Sequence, residues 1–296
     1  MSEHPGTASR ARILFVSSRP LSWVNTAYPF GAAYLLTAGH IDPTFVIGCL
    51  YFLIPYNLAM YGINDVFDYE SDLRNPRKGG VEGAVLDLSM HRITLLAAAL
   101  TNLPFLVYLA VAGNPLSLLV LAVSVFAVLA YSAPGLRFKE RPFLDSVTSS
   151  THFVSPAVFG LALAQPHWTP ALWAVLGAFF LWGAASHAFG AVQDISADRE
   201  AGIGSVATVL GGRSTVRLSV AMYLLGGLLM LAADWPGPLA ALLALPYALN
   251  AAPYWFIRDA EATAANGGWR RFLWINFLTG FLVTLLLIWY ALRIHG

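Results

Sequence analysis

Long apolar runs separated by short polar stretches dominate this chain. Runs able to cross ~30 Å of hydrocarbon recur at residues 21–39, 44–63, 93–112, 116–132, 145–164, 170–190, 215–233, 238–257 and 271–292. The pattern predicts nine membrane-spanning helices. Pro104, Pro156 and Pro246 fall inside three of them, where neighbouring helices must satisfy the carbonyls that proline frees. Residues 1–20 form a polar tail with Arg10, Arg12 and Arg19 and no small-residue cleavage site, so the tail reads as retained. Its apolar patch at 13–16 is too short to span anything. Residues 21–296 read as a single transmembrane domain.

Composition agrees with an all-α polytopic membrane protein. Hydrophobic residues make up 57% of the chain and charged residues 11%, and mean hydropathy is +0.64 over 296 residues. A net charge of +1 gives no reason to invoke nucleic acid, so the environment the chain calls for is membrane lipid. The single Cys49 excludes an intrachain disulfide framework.

Loop charge orients the spans. Of the 17 basic residues, 16 lie in the tail and the even-numbered loops: Arg74, Arg77, Lys78 and Arg92 in the second, Arg137, Lys139 and Arg141 in the fourth. Arg199, Arg213 and Arg217 follow in the sixth, and Arg258, Arg270 and Arg271 in the eighth. The opposite loops hold none, and only Arg293 breaks the pattern. The positive-inside rule places the N-terminus and the even loops in the cytoplasm of a cell-membrane protein.

Two acidic clusters interrupt the apolar pattern at cytoplasmic helix ends: Asn64-Asp65-Val66-Phe67-Asp68-Tyr69-Glu70-Ser71-Asp72 and Asp194-Ile195-Ser196-Ala197-Asp198. Carboxylates beside a bilayer are costly and by default mark a functional site. At ~100° per residue Asn64, Asp65, Asp68 and Asp72 occupy roughly one quadrant of a helix, and Asp194 and Asp198 share a face. The two helices are expected to aim carboxylates at one cavity. Helix-end acidity alone would account for one such cluster, but not easily for two matched ones on the same side.

Arg74, Arg77 and Lys78 follow the first cluster directly, ahead of Gly79-Gly80. The positive-inside rule by itself would put cations there. Carboxylates and cations together, however, point to a metal and a phosphate. Mg²⁺ takes oxygen ligands and is commonly held by one or two carboxylates plus substrate phosphates, while Arg and Lys neutralise the remaining phosphate charge. Diphosphate so held becomes a good leaving group.

These motifs resemble the UbiA superfamily of intramembrane prenyltransferases, marked by N-D-x-x-D-x-x-x-D on the second helix and D-x-x-x-D on the sixth. The resemblance extends to Arg19-Pro20-Leu21-Ser22-Trp23, to the stretch from Tyr131 to Lys139 and to Asp198-Arg199-Glu200-Ala201-Gly202-Ile203. It implies nine helices around a central cavity and transfer of a prenyl group from an allylic prenyl diphosphate to a lipophilic acceptor, with Mg²⁺. Carried over by position, Asn64, Asp68, Asp72, Asp194 and Asp198 are implied metal ligands. Arg74, Arg77, Lys78, Arg137 and Lys139 are implied diphosphate contacts, and Asp65 is expected to orient a basic loop residue such as Lys139 or Arg137. The stretch INDVFDYESDLRNPRKGGVEG looks most like lycopene-elongating members, which attach five-carbon units from dimethylallyl diphosphate (DMAPP) to the ends of lycopene. The product cation would then lose a proton or take up water.

Two histidines are candidate bases. His152 lies in a polar stretch of the fifth span and His187 seven residues before Asp194; each reads equally as an interhelical hydrogen-bonding group. Phe67 and Tyr69, beside the ligands, are placed to face a carbocation. Within the family, a quinone-precursor prenyltransferase and a terpene cyclase stay open. From another class, a cation- or proton-coupled transporter would use the same carboxylates, against which stand their cytoplasmic placement and the missing inverted repeat.

Overall fold

The computed structural model describes residues 7–69 and 86–295. Among these residues all regular structure is helical. The helices are α1 Thr7–Ser17, α2 Val24–Ala38, α3 Pro43–Leu53, α4 Pro55–Phe67, α5 Leu88–Ala112, α6 Pro115–Ser132 and α7 Leu144–Ala164. They continue with α8 Pro170–Val192, α9 Ile195–Ala201, α10 Val206–Met230, α11 Ala244–Ala251 and α12 Asn266–His295. Several begin abruptly for a local reason. Asp42, Asn114 and Thr169 accept from the backbone N–H of Phe45, Ser117 and Leu172, and in each case proline occupies the first helical position.

Six segments among the described residues are long and apolar enough to cross a membrane: Pro43–Phe67, Leu88–Ala112, Pro115–Ser132, Leu144–Ala164, Pro170–Val192 and Asp259–Ile294. The other three predicted spans are helical but shorter or irregular. Residues 21–39 reduce to the 15-residue α2. The seventh becomes α10, which starts nine residues earlier than expected and bends at Gly211, φ 76°. The eighth breaks into a 3-10 helix at Gly237–Leu243, the short α11 and a 3-10 turn at Ala252–Tyr254. Its prolines, Pro238, Pro246 and Pro253, interrupt the α-helical ladder there. The polar tail is not featureless either: α1 lies against α4, with Leu14 and Ile13 packed on buried residues.

The chain divides into two compact units, residues 1–137 with 155–166, and residues 138–154 with 167–296. The boundary crosses α7 next to Pro156.

The first unit is built around an aromatic core of Phe30, Tyr51, Phe52, Tyr56 and Phe159. Two glycines make room for the Phe30 ring and backbone: a Cβ on Gly48 would overlap the ring, and one on Gly160 would sit 2.7 Å from the Phe30 carbonyl oxygen. Small residues at such points let lipid-embedded helices approach closely, which is the main source of helix association without a hydrophobic drive.

Pro55 splits the second apolar segment into α3 and α4, with Ile54 at φ −116°, ψ −63°. Proline removes one ladder hydrogen bond and leaves carbonyls that no water can reach. Side chains replace the missing donors. Asn57 Nδ2 lies 2.7 Å from the Phe52 carbonyl and 3.1 Å from that of Leu53. The Thr26 hydroxyl donates to Phe52 at 2.7 Å, and Asn102 Nδ2 to the Pro55 carbonyl at 2.7 Å.

The second unit pairs α8 with α10, where Gly226 faces the Ala178 backbone. Tyr223, Tyr247 and Phe272 form its deep aromatic cluster with Trp182 and Trp269 alongside.

Gly160→Ala is expected to destabilise the protein by about 1–3 kcal/mol, because the new methyl meets backbone and not a flexible side chain. Thermal unfolding in detergent checks this; an unchanged Tm would show that α2 yields at Phe30.

Candidate active site

The first acidic cluster sits where α4 ends. Asp68 closes the helix at φ −98°, ψ 0°, its N–H bonded to the Asn64 carbonyl at 2.9 Å. Asn64 and Asp68 are therefore one turn apart on one face, as their spacing requires. The turn after α6 brings two further groups to this face. Ser132, the last residue of α6, donates to Asn64 Oδ1 at 2.9 Å and so fixes which way the amide points. Arg137, at φ 41° after Gly135 at φ 85°, places its guanidinium 3.7 Å from Asp68 Oδ1 and 3.4 Å from the Phe67 carbonyl. The Ala-Pro-Gly turn thus delivers a cation to a buried carboxylate.

Asp65 points elsewhere. Its side chain is fully buried, and Oδ1 accepts from the Arg19 guanidinium at 3.0 Å. Arg19 also lies over the Tyr61 ring, 4.3 Å from the centroid, and Tyr61 is one turn before Asp65 on α4. The backbone turns at Arg19 in the left-handed region, φ 50°, and the turn is held by Trp23 Nε1, which donates to the Ser18 carbonyl at 3.0 Å. The arginine and tryptophan of the Arg19–Trp23 motif thereby gain structural meaning. Its arginine pairs with Asp65 of the acidic helix, a partner that sequence reasoning did not name. Lys139 lies in a short 3-10 turn in the second unit. Asp72, Arg74, Arg77 and Lys78 lie outside the described residues.

The second acidic cluster differs from the expectation of one continuous helix. α8 ends at Val192, and Asp194 starts a separate helix, α9. The Asp198 N–H still bonds the Asp194 carbonyl at 2.8 Å, so the two carboxylates keep their one-turn spacing. Both sit at the N-terminal end of α9, where the helix dipole favours negative charge.

His187 lies on α8 in the same unit. Its Nδ1 is 3.1 Å from the Ser146 hydroxyl, and the fully buried Asp145 acts on it electrostatically. Asp145 in turn accepts from the Ser146 and Val206 N–H groups, each at 2.8 Å. Ser146 and Asp145 escaped sequence reasoning, although a carboxylate at the start of an apolar helix is a signal of the same kind as the two clusters. His152 is buried on α7.

The donor chemistry fits a hard cation. Asn64, Asp68, Asp194 and Asp198 offer amide and carboxylate oxygens, the ligand type Mg²⁺ selects. Among the described residues no three carboxylate, histidine or cysteine side chains converge into a complete metal site.

The sequence profile of the UbiA prenyltransferase family matches residues 26–278. The chain belongs to this family. It is 56% identical to a lycopene elongase/hydratase of Corynebacterium glutamicum over 94% of this chain and 97% of that protein. It is 58% identical to a C(50) β-cyclic carotenoids biosynthesis protein, LbtBC, of a Dietzia species over 98% of this chain and 67% of that protein. The fold is likewise that of UbiA proteins. A UbiA homolog from Archaeoglobus fulgidus bound to DMAPP and Mg²⁺ superposes with a TM-score of 0.65 at 20% identity, covering 90% of this chain and 98% of that one. As a UbiA-family member the chain is an integral membrane prenyltransferase.

Removing Asp65 takes from Arg19 its buried carboxylate partner. Breaking a buried pair costs ~3–5 kcal/mol, and the lower end applies here because Arg19 keeps some solvent contact. Asp65→Ala is therefore expected to unfold at markedly lower temperature, and Asp65→Asn, which keeps an acceptor, at an intermediate one. Circular dichroism melts of the two variants decide it.

Proposed function

We propose that this UbiA-family enzyme transfers a dimethylallyl group from DMAPP to the ends of lycopene in the synthesis of C50 carotenoids, with Mg²⁺ as cofactor. The observation that carries the reading is 56% identity over nearly the full length of both chains to a protein described as a lycopene elongase/hydratase. The transmembrane architecture is read as nine spans, with the N-terminus and both acidic clusters on the cytoplasmic side of the cell membrane.

In this reading Asn64 and Asp68, with Asp72, and Asp194 and Asp198 are the Mg²⁺ ligands. Bound there, Mg²⁺ supplies charge neutralisation for the departing diphosphate. The remaining work falls to side chains. Arg137, 3.7 Å from Asp68, offers further donors to phosphate oxygens. Arg74, Arg77, Lys78 and Lys139 complete the cationic lining. The bond between C1 of the donor and its bridging oxygen breaks, and the electron pair leaves with diphosphate. The terminal double bond of lycopene then attacks C1 and becomes a tertiary cation. That cation either loses a neighbouring proton to His187, with Ser146 and Asp145 orienting the ring, or takes up water and releases a proton.

The use made of buried amides supports an apolar acceptor. Asn57, Asn102 and Asn114 donate to backbone carbonyls, Asn266 to Gln193, and Asn250 both donates to Gly268 and accepts from Arg271. A hydrocarbon such as lycopene asks for none of these groups.

Expression in a lycopene-accumulating host tests the reading. Lycopene should be converted to products carrying one and two additional five-carbon units, and unchanged lycopene would reject the acceptor. Asp68→Ala and Asp194→Ala should each lower turnover by at least about a hundredfold, the scale expected when an essential charge-stabilising group is lost, with helical content retained. Full activity in either variant would remove that carboxylate from the mechanism.

A further inference from the structure

The second acidic helix cannot hold itself. α9 has seven residues, far fewer than an isolated helix needs to persist in water. Its sequence, ISADREA, offers one large apolar anchor, Ile195, buried among Val192, Ala207 and Ile257. Gly202, at φ 69°, closes the far end with its N–H on the Arg199 and Asp198 carbonyls. Something else must fix how the helix is rotated about Ile195.

Arg199 is placed for that role. It neighbours Asp198 but leaves the helix ~100° away from it, off the face shared by the two carboxylates. Its guanidinium bridges two other segments. Nε and one terminal nitrogen reach the Thr208 carbonyl on α10 at 3.2 and 2.7 Å, and the other terminal nitrogen donates to Asp259 Oδ2 at 2.7 Å. Asp259 is tethered in turn, since its Oδ1 accepts from the Gly212 N–H at 2.7 Å. That amide is exposed by the bend at Gly211, φ 76°, where a Cβ would stand 3.1 Å from the same carboxylate oxygen. The bend in α10, the carboxylate 60 residues along the chain and the arginine on α9 form one linked network.

We propose that Asp259 is a positioning residue for the second acidic cluster: through Arg199 it sets the rotation of α9, and with it the direction in which Asp194 and Asp198 present their carboxylates. The inference rests on reading those two carboxylates as ligands. A surface ion pair contributes little to global stability, and here both side chains are more than a third exposed. The value of the network is local order in α9. It also commits Arg199 to protein groups, so this cation, although adjacent to a ligand, is not a diphosphate contact.

Two measurements on the purified full-length protein test the proposal: amide hydrogen exchange across 195–201, and binding of Mg²⁺ with inorganic pyrophosphate followed by tryptophan fluorescence. Asp259→Ala should speed exchange of the α9 amides and weaken pyrophosphate binding, each by about tenfold, the scale of one lost hydrogen bond to a charged group. The Tm should move little. Asp259→Asn, whose single carbonyl oxygen can accept from Gly212 or from Arg199 but not from both, should recover only part of both effects. Arg199→Ala should match Asp259→Ala, and the double variant should be no worse than either, because the two residues act as a unit. Additive losses, or an Arg199→Ala defect far above that of Asp259→Ala, would put Arg199 on the diphosphate and overturn the proposal. Unchanged exchange in Asp259→Ala would overturn it equally. Asp194→Ala is the control for the ligand reading: if it leaves pyrophosphate binding intact, that reading fails, whatever the exchange data show.

Discussion

An ionised carboxylate beside hydrocarbon persists only if other groups compensate for its lost hydration, and this constraint organises the first acidic helix end and the carboxylates packed near the second. In the first unit Asp65 has Arg19 at 3.0 Å and Asp68 has Arg137 at 3.7 Å. Each cation is delivered by a backbone turn in the left-handed region, at φ 50° and φ 41°. In the second unit Asp145 is satisfied by backbone N–H groups and Asp259 by Arg199 and Gly212. The turns that link the helices are therefore shaped around charge as much as around chain reversal.

A common division of labour follows. In each cluster a charged neighbour of the proposed ligands, Asp65 beside Asn64 and Arg199 beside Asp198, grips a residue of opposite charge on a distant segment. Ser132, with its hydrogen bond to Asn64 Oδ1, acts at closer range by fixing an amide oxygen in place.

Much of this was legible in the sequence. Apolar runs located the helices, and the i, i+4 spacing placed Asn64 with Asp68 and Asp194 with Asp198, because one-turn neighbours survive small shifts of helix boundary. The breaks were harder. The end of α8 at Val192 carries no proline, and the fracture of 237–254 depends on how prolines at three positions combine. Long-range pairs such as Arg19 with Asp65 and Arg199 with Asp259 left no local pattern, since spacings of 46 and 60 residues are set by tertiary packing alone. Asn57 and Asn102 also left no local signal: they bond backbone carbonyls beside Pro55, a pairing set by the proline break and by packing.

The interruption at Pro55 has a mechanical meaning. A proline break in a membrane helix can act as a loose joint, but here Thr26, Asn57 and Asn102 bond the carbonyls on either side of it. The joint is welded, and the axis of α4 leaves it in a direction set by side chains and not by the surrounding lipid. A thicker or thinner bilayer must be accommodated elsewhere in the molecule. The direction of the acidic end of α4 is thus fixed by hydrogen bonds inside the protein.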